Sequence, residues 1–286
     1  MKYMFIAAHE GEFHVKSMCR VLDVKRSGYY AWRKREPSTR EEANQALLVM
    51  IKEEFKKSRQ TYGSRRIHVM LLRQGVTCGL KRVARLMRLN GIVALKRHKY
   101  HPQTTERQAG VVPAPNRLNQ DFFASAPNQK WVCDFTYIET AEGWLYLAIV
   151  LDLFSRKVIG WAMSPKMDTE LVETALRMAL RDRRPPAGLL HHSDQGSQYT
   201  SNAYLSCLNE ALADLSMSGA GNCYDNAVME SFFSTLKTEC VTGVFSNRAE
   251  ARTTIFEYLE VWYNRQRLHS TLGYLSPVEF ELKFSH

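Results

Sequence analysis

No apolar run in the 286 residues approaches the ~20 that a membrane-spanning helix requires. The N-terminus, MKYMFIAAHEGEF, lacks an apolar stretch long enough for a secretory leader. A cytoplasmic protein with no membrane partner is therefore expected. No G-x-x-x-x-G-K-[ST] loop is present, so the phosphate cradle of nucleotide-hydrolysing enzymes is excluded. A G-x-S-x-G elbow is also missing, which removes the usual Ser–His–Asp hydrolase arrangement. The six cysteines (Cys19, Cys78, Cys133, Cys207, Cys223 and Cys240) form no C-x-x-C pair and match no zinc spacing. They read as reduced, mostly buried thiols. No internal repeat is visible.

Acidic residues are scarce in one half only. Residues 1–130 carry 10 Asp and Glu against 26 Lys and Arg, whereas residues 131–286 carry 19 against 13. Solubility alone gives no reason for the sign to switch at a boundary. A basic half joined to an acidic half implies a polyanion-binding module fused to one that gathers carboxylates.

The basic half reads as helices. Val15, Met18, Cys19 and Leu22 share one apolar face, and a turn near Asp23–Val24 leads to a second helix beginning at Lys25 and Arg26. Residues 1–36 are thus a candidate helix-turn-helix segment whose second helix suits a major groove. Residues 40–95 form a second helical DNA-binding unit, with a long helix from about Arg40 to Lys57 and a pair over 64–73 and 80–90. Val83, Leu86 and Met87 are its buried stripe. Arg65, Arg66, Lys81, Arg82, Arg85 and Arg88 are candidate phosphate contacts. Residues 96–129 lose periodicity and read as a linker.

From residue 130 the pattern becomes three strands on short connections, over 130–140, 144–153 and 156–163. A helix over 169–181, with Thr169 as its N-cap, ends before Pro185-Pro186. Strands over 188–193 and 214–217 alternate with helices over 201–212, 226–240 and 248–266. The fold class is α/β, a ribonuclease-H-like mixed five-stranded sheet with flanking helices over 130–286, preceded by the all-α region.

Three acids stand out in the acidic half. Asp134 lies inside the first strand, Asp194 ends the fourth, and Glu230, separated from Asp194 by 35 residues, lies on an amphipathic helix. Met229, Phe232, Phe233, Leu236 and Cys240 make that helix's core stripe, which places Glu230, Ser234 and Lys237 along its border. Carboxylates spread this way can converge on two Mg²⁺, with Mn²⁺ able to substitute, because hard cations prefer oxygen ligands. Two such ions about 3.5–4 Å apart activate an attacking oxygen and stabilise a leaving one. Lys237 is placed to hold a phosphate. Asp225 or Asn226 reads as the cap of the Glu230 helix, Asp152 as a turn or salt-bridge residue, and His191 and His192 as core histidines.

The blocks WVCDFTYI, LDLFSRKVIGW, HHSDQGSQYTS, GNCYDNAVMESFFSTLK and YNRQRLHSTLGYLSPVEF resemble, in order, bacterial insertion-sequence transposases with a retroviral-integrase-type core. The group is the second-reading-frame (OrfB) product of the IS-three family, and MCRVLDVKRSGYYAW and TYGSRRIHVMLL extend the resemblance through the basic half. It implies that Asp134, Asp194 and Glu230 are a DDE triad. It also implies a transposase that binds terminal inverted repeats and target DNA, cleaves 3′ ends and transfers strands. A homo-oligomer on DNA, a nucleoid location, and an upstream-frame (OrfA) partner or fusion follow from the same resemblance. Cys133 stands where such proteins more often have Thr. A DNA-binding regulator with an inactive core, or a ribonuclease-H-like nuclease, remains an alternative on the residues alone.

Overall fold

The computed structural model describes residues 1–95, 114–219 and 223–284. Three short helices open the chain: α1 (Lys2–Ala8), α2 (Val15–Val21) and α3 (Arg26–Arg33). Ile6, Met18, Cys19 and Tyr29 form a small core of their own, with Val15 and Leu22 packed against it. Asp23 takes a left-handed conformation in the α2–α3 turn, as short Asx residues tolerate. The helix α1, which sequence periodicity does not reveal, completes this unit.

A capping box starts α4 (Thr39–Lys57): Ser38 Oγ accepts from Glu41 N–H, and the Glu41 carboxylate accepts from Ser38 N–H. The pair α5 (Ser64–Arg73) and α6 (Leu80–Leu89) packs on it through Leu47, Ile51, Ile67, Leu71, Val83, Leu86 and Met87. These side chains belong to the same apolar cluster as one face of the sheet. The union is reinforced by Tyr62 Oη, which accepts from Leu268 N–H at 2.7 Å, and by Arg73, which donates to Glu279 and to the Tyr274 carbonyl.

The sheet comprises β1 (Lys130–Ile138), β2 (Leu145–Asp152), β3 (Val158–Ser164), β4 (Leu190–Ser193) and β5 (Asp214–Met217) in the order β3-β2-β1-β4-β5. The first three strands are antiparallel; β4 runs parallel to β1, and β5 parallel to β4. This is the mixed five-stranded arrangement expected from the sequence. Side chains alternate along β1. Trp131 and Cys133 enter the core under α7 (Thr169–Arg183) and α8 (Asn202–Glu210), whereas Val132 and Ile138 enter the core under α9 (Ala227–Glu239) and α10 (Arg248–Glu257). Asp168, rather than Thr169, caps α7, accepting from Leu171 N–H. Strand β3 and α7 meet at Gly160, where an added Cβ would run into the Ala175 carbonyl and the Ala179 side chain. Gly160→Ala should therefore lose about 1–3 kcal/mol, read as a lowered melting temperature.

The expected single helix over 248–266 is divided. Regular α10 gives way to a π-turn over Tyr258–Tyr263. Tyr258, Leu259 and Trp262 still face inward, so the apolar spacing alone could not show the wider turn. Just beyond it, the Asn264 side chain satisfies both backbone groups of Val158, beside the irregular register between β2 and β3. A last helix, α11 (Pro277–Phe284), is tied down by Arg183 and Lys157, both paired with Glu281. Arg183 also pairs with fully buried Asp152, a salt-bridge residue as expected.

The first part of the expected linker lies outside the described residues. Its second part is irregular but docked. Leu118 is buried, and the Arg117 and Leu118 N–H groups both donate to Ser216 Oγ on β5.

Candidate active site

The central strand positions the first acid. Asp134 follows Val132 on β1 and therefore shares the sheet face that α9 covers. Parallel pairing sets Trp131 against His191 and Val132 against His192. The pairing ends there, two residues before Asp134 on one strand and two before Asp194 in the turn after β4. Asp194 Oδ1 accepts from Gly196 N–H at 3.0 Å, which fixes the turn after β4.

Two donors orient Asp134. The Phe135 N–H reaches Oδ1 at 2.8 Å, and the Asn226 amide reaches Oδ2 at 3.0 Å. Burial pushes the Asp134 carboxyl well above the usual carboxylate range, the Asp194 charge adds to this, and Glu230 contributes a further push. The two hydrogen bonds act in the opposite sense. All three acids thus share one electrostatic neighbourhood. Glu230, half-buried on the first turn of α9, is raised by burial. Two turns later, Lys237 Nζ lies 4.6 Å from the centre of the Tyr137 ring. Burial lowers the Lys237 ammonium, and the Asp134 charge pulls it back up.

Asp225 anchors the base of α9. It is buried and accepts from Asn116, Gln120 and Gly219 N–H, tying the segment before the sheet to the start of the helix. Neither Asp225 nor Asn226 makes a side-chain cap of α9, contrary to the expectation from sequence. The reason is competition: each side chain has a stronger tertiary partner than the helix's own N–H groups. Behind the strand, His191 and His192 are fully buried core residues. His191 Nε2 contacts Cys133 Sγ and Tyr204 Oη, and His192 contacts Ser216 and Ser218.

Among the described residues, no group of three His, Cys, Asp or Glu side chains is drawn close enough to hold a metal ion. The donor chemistry nevertheless suits a hard divalent cation: hard oxygen ligands with a mutual repulsion that a cation reverses.

An integrase core domain model matches residues 124–223, and a second integrase core model matches residues 230–283. An HTH-like domain model matches residues 42–100. Transposase InsF for insertion sequence IS3A from Escherichia coli K12 is 47% identical over 286 residues, covering 99% of each chain. The chain belongs to the IS3 family of insertion-sequence transposases. An IS600 protein of 31 kDa from Shigella sonnei is 46% identical over 268 residues, covering 93% of this chain and 98% of that one. A simian T-cell lymphotropic virus intasome, solved in complex with the PP2A regulatory subunit B56 gamma, aligns with TM-score 0.47 at 12% identity. It covers 77% of this chain and 70% of that one.

This transposase therefore binds and moves DNA, and its basic side chains fall into two groups. Lys25 and Arg26 at the start of α3, Arg65 on α5, and Lys81, Arg85 and Arg88 on α6 are exposed. Arg66 and Arg82 are half-buried and engaged by protein side chains. Arg66 lies over the Tyr62 ring at 5.3 Å, and burial lowers its guanidinium. Arg82 Nε donates to Asn44 Oδ1 at 2.8 Å. Sequence reasoning missed the bond between Asn226 and Asp134. The available signal was spacing: Asn226 lies four residues before Glu230, on the same helical face. Among the described residues, no helix is long and apolar enough to cross a membrane.

Proposed function

We propose that Asp134, Asp194 and Glu230 hold two Mg²⁺, with Mn²⁺ able to substitute, and carry out 3′-end cleavage and strand transfer at the element's terminal inverted repeats. The observation that supports this reading is electrostatic: the Asp194 and Glu230 charges both raise the Asp134 carboxyl, and β1 and β4, which lead to Asp134 and Asp194, pair in parallel up to Val132 and His192. Bound there, the ions would supply Lewis-acid stabilisation of the leaving oxygen and a more nucleophilic attacking oxygen. The chain's own residues do the positioning. Phe135 N–H and Asn226 fix the plane of Asp134, packed α9 sets Glu230 against the strand, and Lys237 presents a cation to a DNA phosphate. Hydrolysis of one phosphodiester frees a 3′-hydroxyl. That hydroxyl then attacks a second strand, one P–O bond forming as another breaks. An element has two ends, so two copies act together on DNA.

An acidic core tolerates this substrate because DNA is gripped elsewhere, by the exposed cations of α3, α5 and α6. Replacing Arg85 and Arg88 together by Glu should weaken binding to every duplex alike. The dependence of log affinity on log salt should also become shallower, by about one unit for each phosphate that is no longer neutralised. Unchanged affinity and slope would show that face of α6 to be merely solvated. The reading as a whole is tested by comparing Mg²⁺-dependent cleavage of a terminal-repeat duplex with that of an RNA–DNA hybrid. Cleavage confined to the duplex supports a transposase site, and preference for the hybrid would transfer the site to a nuclease role.

A further inference from the structure

Asn226 stands at the N-cap position of α9 but makes no side-chain cap there. Its amide NH₂ instead crosses to β1 and donates to Asp134 Oδ2. That amide faces β1 with its NH₂, which lies 3.0 Å from Asp134 Oδ2. Asn226 Oδ1 is consequently turned away from Asp134, and this buried atom has no hydrogen-bond partner among the described residues. An unsatisfied polar oxygen beside a cluster of carboxylates is unusual in a folded protein and marks a place for a donor or a cation. The arrangement also leaves Asp134 available. Its Oδ1 accepts from Phe135 N–H and its Oδ2 from Asn226, and each oxygen keeps lone-pair capacity.

We propose that Asn226 is a positioning residue for cation binding. It locks the carboxylate plane of Asp134 through its NH₂, and it presents Oδ1 as a neutral oxygen acceptor for the hydration shell of the cation. The inference rests on the assignment of the acidic triad. It explains why Asn226 leaves its own helix uncapped. Asp225, the preceding residue, holds this position from below through Asn116, Gln120 and Gly219, so Asn226 approaches β1 from a fixed base. Spacing makes the device compact: Asn226 and Glu230 are one turn apart, so the helix that brings the third acid also brings the group that orients the first.

The experiment measures Mn²⁺ binding to the full-length chain by the decrease of the free-ion paramagnetic resonance signal, with no DNA present. Asn226→Ala should raise the Mn²⁺ dissociation constant by about 10–100-fold, the scale of weakened outer-shell support for a metal ligand. In the cleavage assay, the Mg²⁺ concentration giving half-maximal rate should rise by a similar factor, and saturating Mg²⁺ should restore most of the rate. Melting in EDTA should scarcely change, because the deleted side chain caps nothing. Asn226→Asp, which preserves the shape but turns an acceptor towards Asp134, provides a second folded variant and should shift the pH dependence of Mn²⁺ binding. A merely structural role predicts a lower melting temperature and rate with an unmoved metal midpoint, and that result would overturn the proposal. Asp134→Asn separates the two levels of inference. If it loses Mn²⁺ binding while Asn226→Ala retains it, only the role of Asn226 fails; if both retain it, the triad assignment fails.

Discussion

Glu230→Gln should abolish strand cleavage and joining while DNA affinity stays at the wild-type level. The substitution keeps the shape and helical preference of the side chain and removes one negative charge from the border of α9. Glu230 is already held above its ordinary range by burial, so the neutral amide costs the fold nothing and can slightly stabilise it. Removing one carboxylate from the proposed metal-holding set should lower the rate by on the order of 10³ or more. Affinity should be unaffected, because the proposed DNA contacts are the exposed cations of α3, α5 and α6. Filter binding and a cleavage assay on the same preparation read the two effects. Normal cleavage by this variant in Mg²⁺ would remove Glu230 from the site.

Arg267→Leu should unfold the protein far more readily, losing about 3–5 kcal/mol. The Arg267 guanidinium donates twice to the Glu239 carboxylate, at 2.8 and 2.7 Å, and both side chains are nearly inaccessible. Tyr258 Oη and Trp262 Nε1 donate to the same carboxylate. Removing the guanidinium leaves a buried charge with only neutral donors. Removing both charges together, in Glu239→Leu with Arg267→Leu, should recover much of the stability, because the penalty comes from the unpaired ion. Charge pairing and hydrogen bonds hold the Glu239 carboxyl below its ordinary value despite burial. Its stabilising contribution is therefore complete above the unfolded value of about 4.3 and is lost as pH falls through the lower folded value. Chemical unfolding across pH 3–6 measures this, and Glu239→Gln should flatten that limb. Glu239 is the last residue of α9, so the pair anchors the helix that carries Glu230.

The elements that carry the three candidate acids are legible in the sequence: Asp134 lies on a strand, Asp194 directly follows one, and Glu230 lies on a helix. Period-two alternation places Asp134 on one strand face, the apolar run before Asp194 ends a strand, and the Met229–Phe233–Leu236 stripe sets Glu230 at a helix border. Asn226 was not legible as a partner of Asp134, because asparagine before a helix is such a good cap that the tertiary bond is hidden behind a local preference. The turn at Tyr258–Tyr263 escaped for a similar reason: its buried residues fit an ordinary helical spacing. Residues 114–129 carry no periodicity, yet Leu118 and two backbone N–H groups on Ser216 fasten them to β5. Fixed irregular backbone of this kind has no pattern to read. Arg66 and Arg82 looked like their neighbours in sequence, and only the packing of Tyr62 and Asn44 sets them apart.

The most direct measurement is anomalous diffraction at the manganese edge from crystals of the transposase grown with Mn²⁺. Density between the Asp134 and Asp194 carboxylates, with Glu230 completing the ligand set, is the result this account predicts. Manganese bound only elsewhere, with those three side chains unligated at saturating ion, would contradict it.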